Sequence, residues 1–151
     1  MKLSKVLIPF LFASTAVAQE VGESAVIECQ RASHSFSTVV ECLPHTQVAG
    51  ELLAMVSQVE FYGAAGADLV SECSAINESA PGTWTCVGKV LGDAARLADM
   101  VGDPSKIEDP RLTGLAHPEK YERLRAHLRE RMIAFRLPPR IEIPRETRFL
   151  K

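Results

Sequence analysis

The chain has 151 residues, 46% of them apolar and 6% aromatic, which is enough for one domain with a real core. Its formal net charge of −2 carries no overall basic surplus, and its few aromatics do not interleave with the basic residues, so nucleic-acid binding is excluded. Four cysteines, all behind an apolar leader, point to an exported, disulfide-bonded fold and not to a reaction.

Residues 1–18 have the three parts of a signal peptide. Lys2 and Lys5 give the positive start, Val6 to Ala18 the apolar stretch, and Ala16-Val17-Ala18 the small-x-small cleavage signal. The run falls short of the roughly 20 residues a membrane span needs. Pro9 within it is also poor for a stable helix. No cysteine follows the cleavage signal, which argues against a lipid anchor. The mature chain is expected to be soluble and to begin near Gln19, in the periplasm or outside the cell.

The cysteines fall as two pairs, Cys29 with Cys42 and Cys73 with Cys86, each with twelve intervening residues. Glu28 precedes the first pair and Glu72 the second. Laying Ser24–Val56 over Leu69–Val101 superposes both glutamate-cysteine steps and both second cysteines. One inserted residue then brings Ala54-Met55-Val56 onto Asp99-Met100-Val101. The shared pattern is helix, polar loop, helix.

In the first unit Val21 to Ala32 gives a weak helix. Ser35, Ser37 and Thr38 beside His34 read as loop, and Pro44 is expected to disturb the start of the next helix. That helix carries a stripe of Val48, Leu52, Met55, Val56 and Val59. After the Gly63-Ala64-Ala65-Gly66 weakness, Leu69, Val70, Cys73 and Ile76 form a short stripe. Asn77 to Thr83 is a run of turn formers. The next helix has Val87, Val90, Leu91, Ala94, Leu97, Ala98 and Val101 on one face, and Lys89, Asp93, Arg96 and Asp99 on the other. Thr83 or Thr85 is placed to cap its start, and Gly102 to end it before Pro104.

Each hairpin has one cysteine near the end of its first helix and one near the start of its second. Cys29–Cys42 and Cys73–Cys86 is the natural pairing, although four cysteines allow three connectivities. Catalytic thiol pairs are usually much closer, as in C-x-x-C, so these cysteines read as structural and not redox-active. No short spacing suits zinc.

Asp103 to Pro118 is rich in proline and reads as a linker. A last helix is expected from Pro118 to Arg136, with a stripe of Tyr121, Leu124, Leu128, Met132 and Phe135. Arg125, Arg129 and Arg136 flank one side of it, Lys120 and Arg131 the other. Leu137-Pro138-Pro139 stops it. The alternating Arg140 to Pro144 suits a short extended segment. The organisation is therefore a leader (1–18), a duplicated helical-hairpin domain (19–102), a linker (103–117) and a basic C-terminal helix with its tail (118–151). The fold class is all-α: two disulfide-stapled antiparallel helical hairpins, four-helix bundle-like, plus a C-terminal amphipathic basic helix and a short extended tail.

No catalytic, metal or cofactor motif appears: neither G-x-S-x-G, nor a phosphate loop, nor a metalloprotease helix. Glu41 and His45 share a helical spacing but leave a metal two ligands short. His34 and His117 read as loop residues, and His127 lies off the last stripe and reads as solvated. Asn77-Glu78-Ser79 fits an N-glycosylation sequon, which matters only in a eukaryote.

Charge is the remaining signal. Gln19 to Pro118 holds five basic and fourteen acidic residues, whereas Glu119 to Lys151 holds ten basic and five acidic. Such asymmetry marks a contact surface, either for a partner or for the chain's own acidic body. The expected function is an exported, non-enzymatic binding or accessory protein. It would present Arg123, Arg125, Arg129, Arg131, Arg136, Arg140, Arg145 and Arg148 to an acidic protein partner. The alternatives are a peripheral binder of anionic envelope lipid, through the same helix, and a small secreted enzyme with an unrecognised site.

Overall fold

A computed structural model describes residues 21–135. The expected leader and the expected extended tail lie outside the described residues. Six α-helices run in order among the described residues: α1 (Glu23–Ala32), α2 (Phe36–Val56), α3 (Gly63–Ile76), α4 (Ala80–Val101), α5 (Pro110–Leu115) and α6 (Pro118–Ala134).

Helices α1 and α2 form one hairpin, and α3 and α4 the other. Both expected disulfides are present, Cys29–Cys42 and Cys73–Cys86, each with a Cα–Cα separation of 5.8 Å. They sit beside the two short turns that close the hairpins. The tips are joined: the Ala80 backbone N–H at the start of α4 donates to the Glu28 carboxylate of α1 at 3.0 Å. A carboxylate is favoured there because the first N–H groups of a helix have no partner within it.

The core lies where α2 and α4 meet and is closed by α3, α5 and α6. It contains Val48, Leu52 and Val56 of α2, Leu69 and Cys73 of α3, Val87 and Leu91 of α4, Leu115 of α5 and Leu124 of α6. These residues fall at helical spacing, as the sequence pattern requires. Leu52, Leu91 and Leu124 are fully buried, and truncating such a side chain to alanine costs about 2–5 kcal/mol.

Several expected boundaries move. Pro44 lies inside α2 and does not delay its start; Ser37 and Thr38 are in the first turn of that helix and not in a loop. The proline removes one N–H, whose acceptor would be the Val40 carbonyl. Val40 is exposed, so water can replace the missing donor. The first stripe also ends early. Helix α2 stops at Val56, and Val59 is 89% exposed in the turns that follow. In the second hairpin the turn is shorter than expected. Ser79, and neither Thr83 nor Thr85, caps α4: its hydroxyl accepts from the Gly82 backbone N–H at 3.1 Å. Pro81 then falls in the first turn, where its missing N–H costs nothing. Thr83 is buried, and the Thr85 hydroxyl donates to the Pro81 carbonyl at 2.9 Å.

Residues 103–117 hold a 3₁₀ turn (Pro104–Lys106) and the short helix α5. Asp109 caps α5, accepting from the Arg111 backbone N–H at 2.8 Å. Helix α5 buries Leu115, and Ala116 just after it is also buried, so this segment anchors the start of α6.

Candidate functional site

Helix α6 begins at Pro118 as expected and ends at Ala134. Its apolar stripe turns inward. Leu124 is fully buried, and Tyr121, Leu128, Met132 and Phe135 are partly buried against the core. Helix α6 lies across α2 and α4. Glycine at position 92 makes this approach possible on the α4 side, because a Cβ there would stand 2.9 Å from the Tyr121 hydroxyl.

The arginines of α6 then separate into distinct roles. Arg131 folds toward α2 and grips Glu51 through two parallel bonds, Nε to Oε2 at 2.6 Å and Nη2 to Oε1 at 2.5 Å. Such forked pairing is the strong form of a guanidinium–carboxylate contact. Glu51 also accepts from Gln47 Nε2 at 2.9 Å, and Gln47 Oε1 in turn accepts from the Gly22 backbone N–H at 2.8 Å. The Arg131 hydrogen bond, which outweighs the opposing effect of burial, holds the Glu51 carboxyl below the usual carboxylate range. The same bond raises Arg131 further. A carboxylate held low in this way is an anchor and not a general base poised near neutral pH.

His127 is not solvated as its position off the stripe suggested. Its side chain is only 30% exposed, and Nε2 stands 3.5 Å from Glu51 Oε2, long for a hydrogen bond. No other group satisfies that nitrogen. The flank of α6 that carries His127 and Arg131 faces Glu51 of α2, a placement that the sequence pattern does not show.

Arg123 lies over the buried Phe61 ring at 4.6 Å from its centroid. Arg125 pairs with Glu122 at 2.9 Å and approaches the Tyr121 ring. Both remain exposed, as does Arg129, which has no ion pair among the described residues. A guanidinium resting on a ring keeps its N–H edge free for a carboxylate. Arg136, Arg140, Arg145 and Arg148 lie outside the described residues. Of the eight expected contact residues, the structure thus displays Arg123, Arg125 and Arg129 outward on one rigid helix and commits Arg131 to the body.

Sequence reasoning missed Glu51, Gln47 and the inward turn of His127. Gln47 and Glu51 are four residues apart on α2, a spacing that places them on one face. Nothing in the sequence ties that face to an arginine 80 positions later.

Two further features complete the surface. A cleft of about 240 Å³ opens between α3, α4 and α5. Elsewhere, Tyr62 is buried with its hydroxyl unpaired, and burial pushes its ionisation upward. Its ring lies near Lys120 and His117. No cluster of three or more His, Cys, Asp or Glu side chains that could hold a metal occurs among the described residues, and Glu41 and His45 are both exposed on α2. No described helix is long and apolar enough to cross a membrane. The two disulfides suit an oxidising, exported environment.

No protein family, curated protein or solved structure gives a match to this chain.

Proposed function

We propose that this is an exported, non-enzymatic binding or accessory protein. Its contact surface is the exposed arginines of α6 together with Arg136, Arg140, Arg145 and Arg148, and it meets an acidic protein partner in the periplasm or outside the cell. The observation that carries this reading is the charge split: an acidic body from Gln19 to Pro118, followed by a segment with twice as many basic as acidic residues. The placement of α6 supports it. With the apolar stripe buried, Arg123, Arg125 and Arg129 are held on a fixed scaffold, which reduces the ordering cost of binding.

The lipid alternative is less well supported. An amphipathic helix binds a bilayer by inserting its apolar face, and that face of α6 packs on α2 and α4. Only charge attraction would remain, and it weakens with salt.

The test uses the full chain with Arg123, Arg125, Arg129, Arg136, Arg140, Arg145 and Arg148 changed to alanine. Arg131 is kept because it holds Glu51. Cutting the chain before Leu115 would remove the buried Leu115, Ala116 and Leu124 and test folding instead. Wild type and variant are compared as bait on envelope extract, with vesicles of anionic lipid as a second arm. The reading expects an acidic protein captured by the wild type and lost from the variant. Identical capture by both would sink it, and vesicle binding without protein capture would favour lipid.

A further inference from the structure

The cleft between α3, α4 and α5 joins an apolar floor to an acidic rim. Its floor is apolar, formed by Leu69, Val90, Leu112 and Leu115. Its rim carries Asp68, Glu72 and Asp109, with Arg111 as the one basic residue lining it. Arg111 is already engaged, Nη2 donating to Glu72 at 2.6 Å, and this exposed pair stands at the edge of the cleft. Asp68 has no ion pair among the described residues, so its charge faces the opening uncompensated. The lining is therefore two charges negative, from three carboxylates and one guanidinium. The volume, about 240 Å³, exceeds the roughly 150 Å³ that admits a benzene-sized group.

Residues 136–151 have the complementary character. Arg136, Arg140, Arg145, Arg148 and Lys151 oppose only Glu142 and Glu146, a surplus of three positive charges. Leu137, Ile141, Ile143, Phe149 and Leu150 are interleaved among them. Residues 21–135 hold ten basic and sixteen acidic residues, a deficit of six. Sixteen residues can reach as far as about 53 Å when extended. A body of this size has a radius of gyration of about 13 Å, so the cleft is within range of Phe135 wherever it lies.

We infer that this cleft is a docking site for residues 136–151 of the same chain, with an aliphatic side chain on the Leu69–Leu112–Leu115 floor and arginines against Asp68 and Asp109. The consequence reaches beyond partner binding: an acidic partner must compete with the protein's own cleft for the basic segment, and the contact is autoinhibitory. The autoinhibitory consequence rests on the proposed partner reading, whereas the docking itself does not depend on any partner, so the two ideas fail separately.

Amide-exchange mass spectrometry on the full chain tests it without a partner. Asp68→Lys combined with Leu112→Lys alters two exposed positions that cap no helix and fill no core. The expected result is that amides in 136–151 exchange at least about fivefold faster in the variant. Amides in the core helices α2 and α4 should be unchanged, and raised salt should speed the same amides in the wild type. Equal exchange of the last segment in wild type and variant overturns the inference. So does protection that appears only as the concentration rises, with dimers in sedimentation, because the occupant is then a second copy.

Discussion

The two hairpins share a plan and differ in what holds them. A shift of 44 positions carries Gly22 to Gly66, Glu28 to Glu72, Cys29 to Cys73, Ser35 to Ser79 and Cys42 to Cys86. In the second hairpin nearly every matched position is tied down. Ser79 caps α4, and Asn77 Nδ2 donates to the Cys73 carbonyl at 2.8 Å, closing the end of α3. Gly66 lies against the Val56 carbonyl. In the first hairpin Ser35 caps nothing, Pro44 removes one backbone hydrogen bond from α2, and a Cβ at Gly22 would meet only the end of the Gln47 side chain. Helix α1 packs chiefly on α2 and buries only Ala25 and Cys29, whereas α4 touches α2, α3, α5 and α6. Helices α2 and α4 form the scaffold, and α1 is held by its disulfide and by its packing on α2.

The surroundings of the two bridges agree. Both sulfurs of Cys29–Cys42 lie 3.3 Å from Thr46 Oγ1. A disulfide sulfur has no hydrogen, so the hydroxyl of this buried threonine is the donor. The Cys73–Cys86 bridge instead sits in the apolar core.

The disulfides offer the largest test of this difference. The two bonds span the same 13-position separation, so the chain-entropy term is about 3 kcal/mol for each. Changing Cys73 and Cys86 to alanine should lower global stability by at least that amount in denaturant unfolding. Changing Cys29 and Cys42 should instead free α1 locally, with faster amide exchange confined largely to residues 23–32. Equal global losses would erase the distinction.

The matched glycines come next. Gly66→Ala forces a Cβ into the Val56 carbonyl and the Tyr62 side chain, an overpacking that costs about 1–3 kcal/mol. Gly22→Ala meets only a flexible side-chain end and should change stability by less than about 0.5 kcal/mol. Thermal melts of both variants compare them directly.

Glu51 measures how much the first hairpin owes to α6. Glu51→Ala leaves Arg131 without its acceptor and should cost about 1.5–3 kcal/mol, the range for hydrogen bonds to charged groups. The pH dependence has a definite sign. The folded carboxyl titrates below its ordinary value of 4.5, so the unfolded chain takes up the proton first as pH falls. The contribution is complete above about pH 4.5 and declines below it through the lowered folded value. Acid titration of wild type against Glu51→Ala should show the two stabilities converging. A constant gap down to pH 2 would remove Glu51 as the latch.

The caps give the smallest effect. Ser79→Ala should cost about 1 kcal/mol, the ordinary value of a serine N-cap. Ser35→Ala should cost next to nothing, because no N–H donates to it. Urea midpoints resolve this, and equal losses would mean that Ser35 also caps.

The sequence by itself determined the all-helical class, the apolar stripes of α4 and α6 and the end of α4 at Gly102, whose left-handed φ of 71° suits glycine, and it made the observed disulfide pairs the natural ones among three. These follow from local spacing and from short loops, where few arrangements satisfy the constraints. Only the tertiary structure decided where α6 lies, that Arg131 belongs to Glu51, that Glu28 caps the opposite hairpin, and that residues 110–115 form a helix over an apolar cleft. Each joins groups dozens of positions apart. A helix pattern fixes which face is apolar, but not which neighbour covers it or at what tilt, because many bundle packings bury the same stripe. The charged flanks follow that choice: one arginine becomes an internal anchor and the next stays in water because α6 crosses α2 where it does.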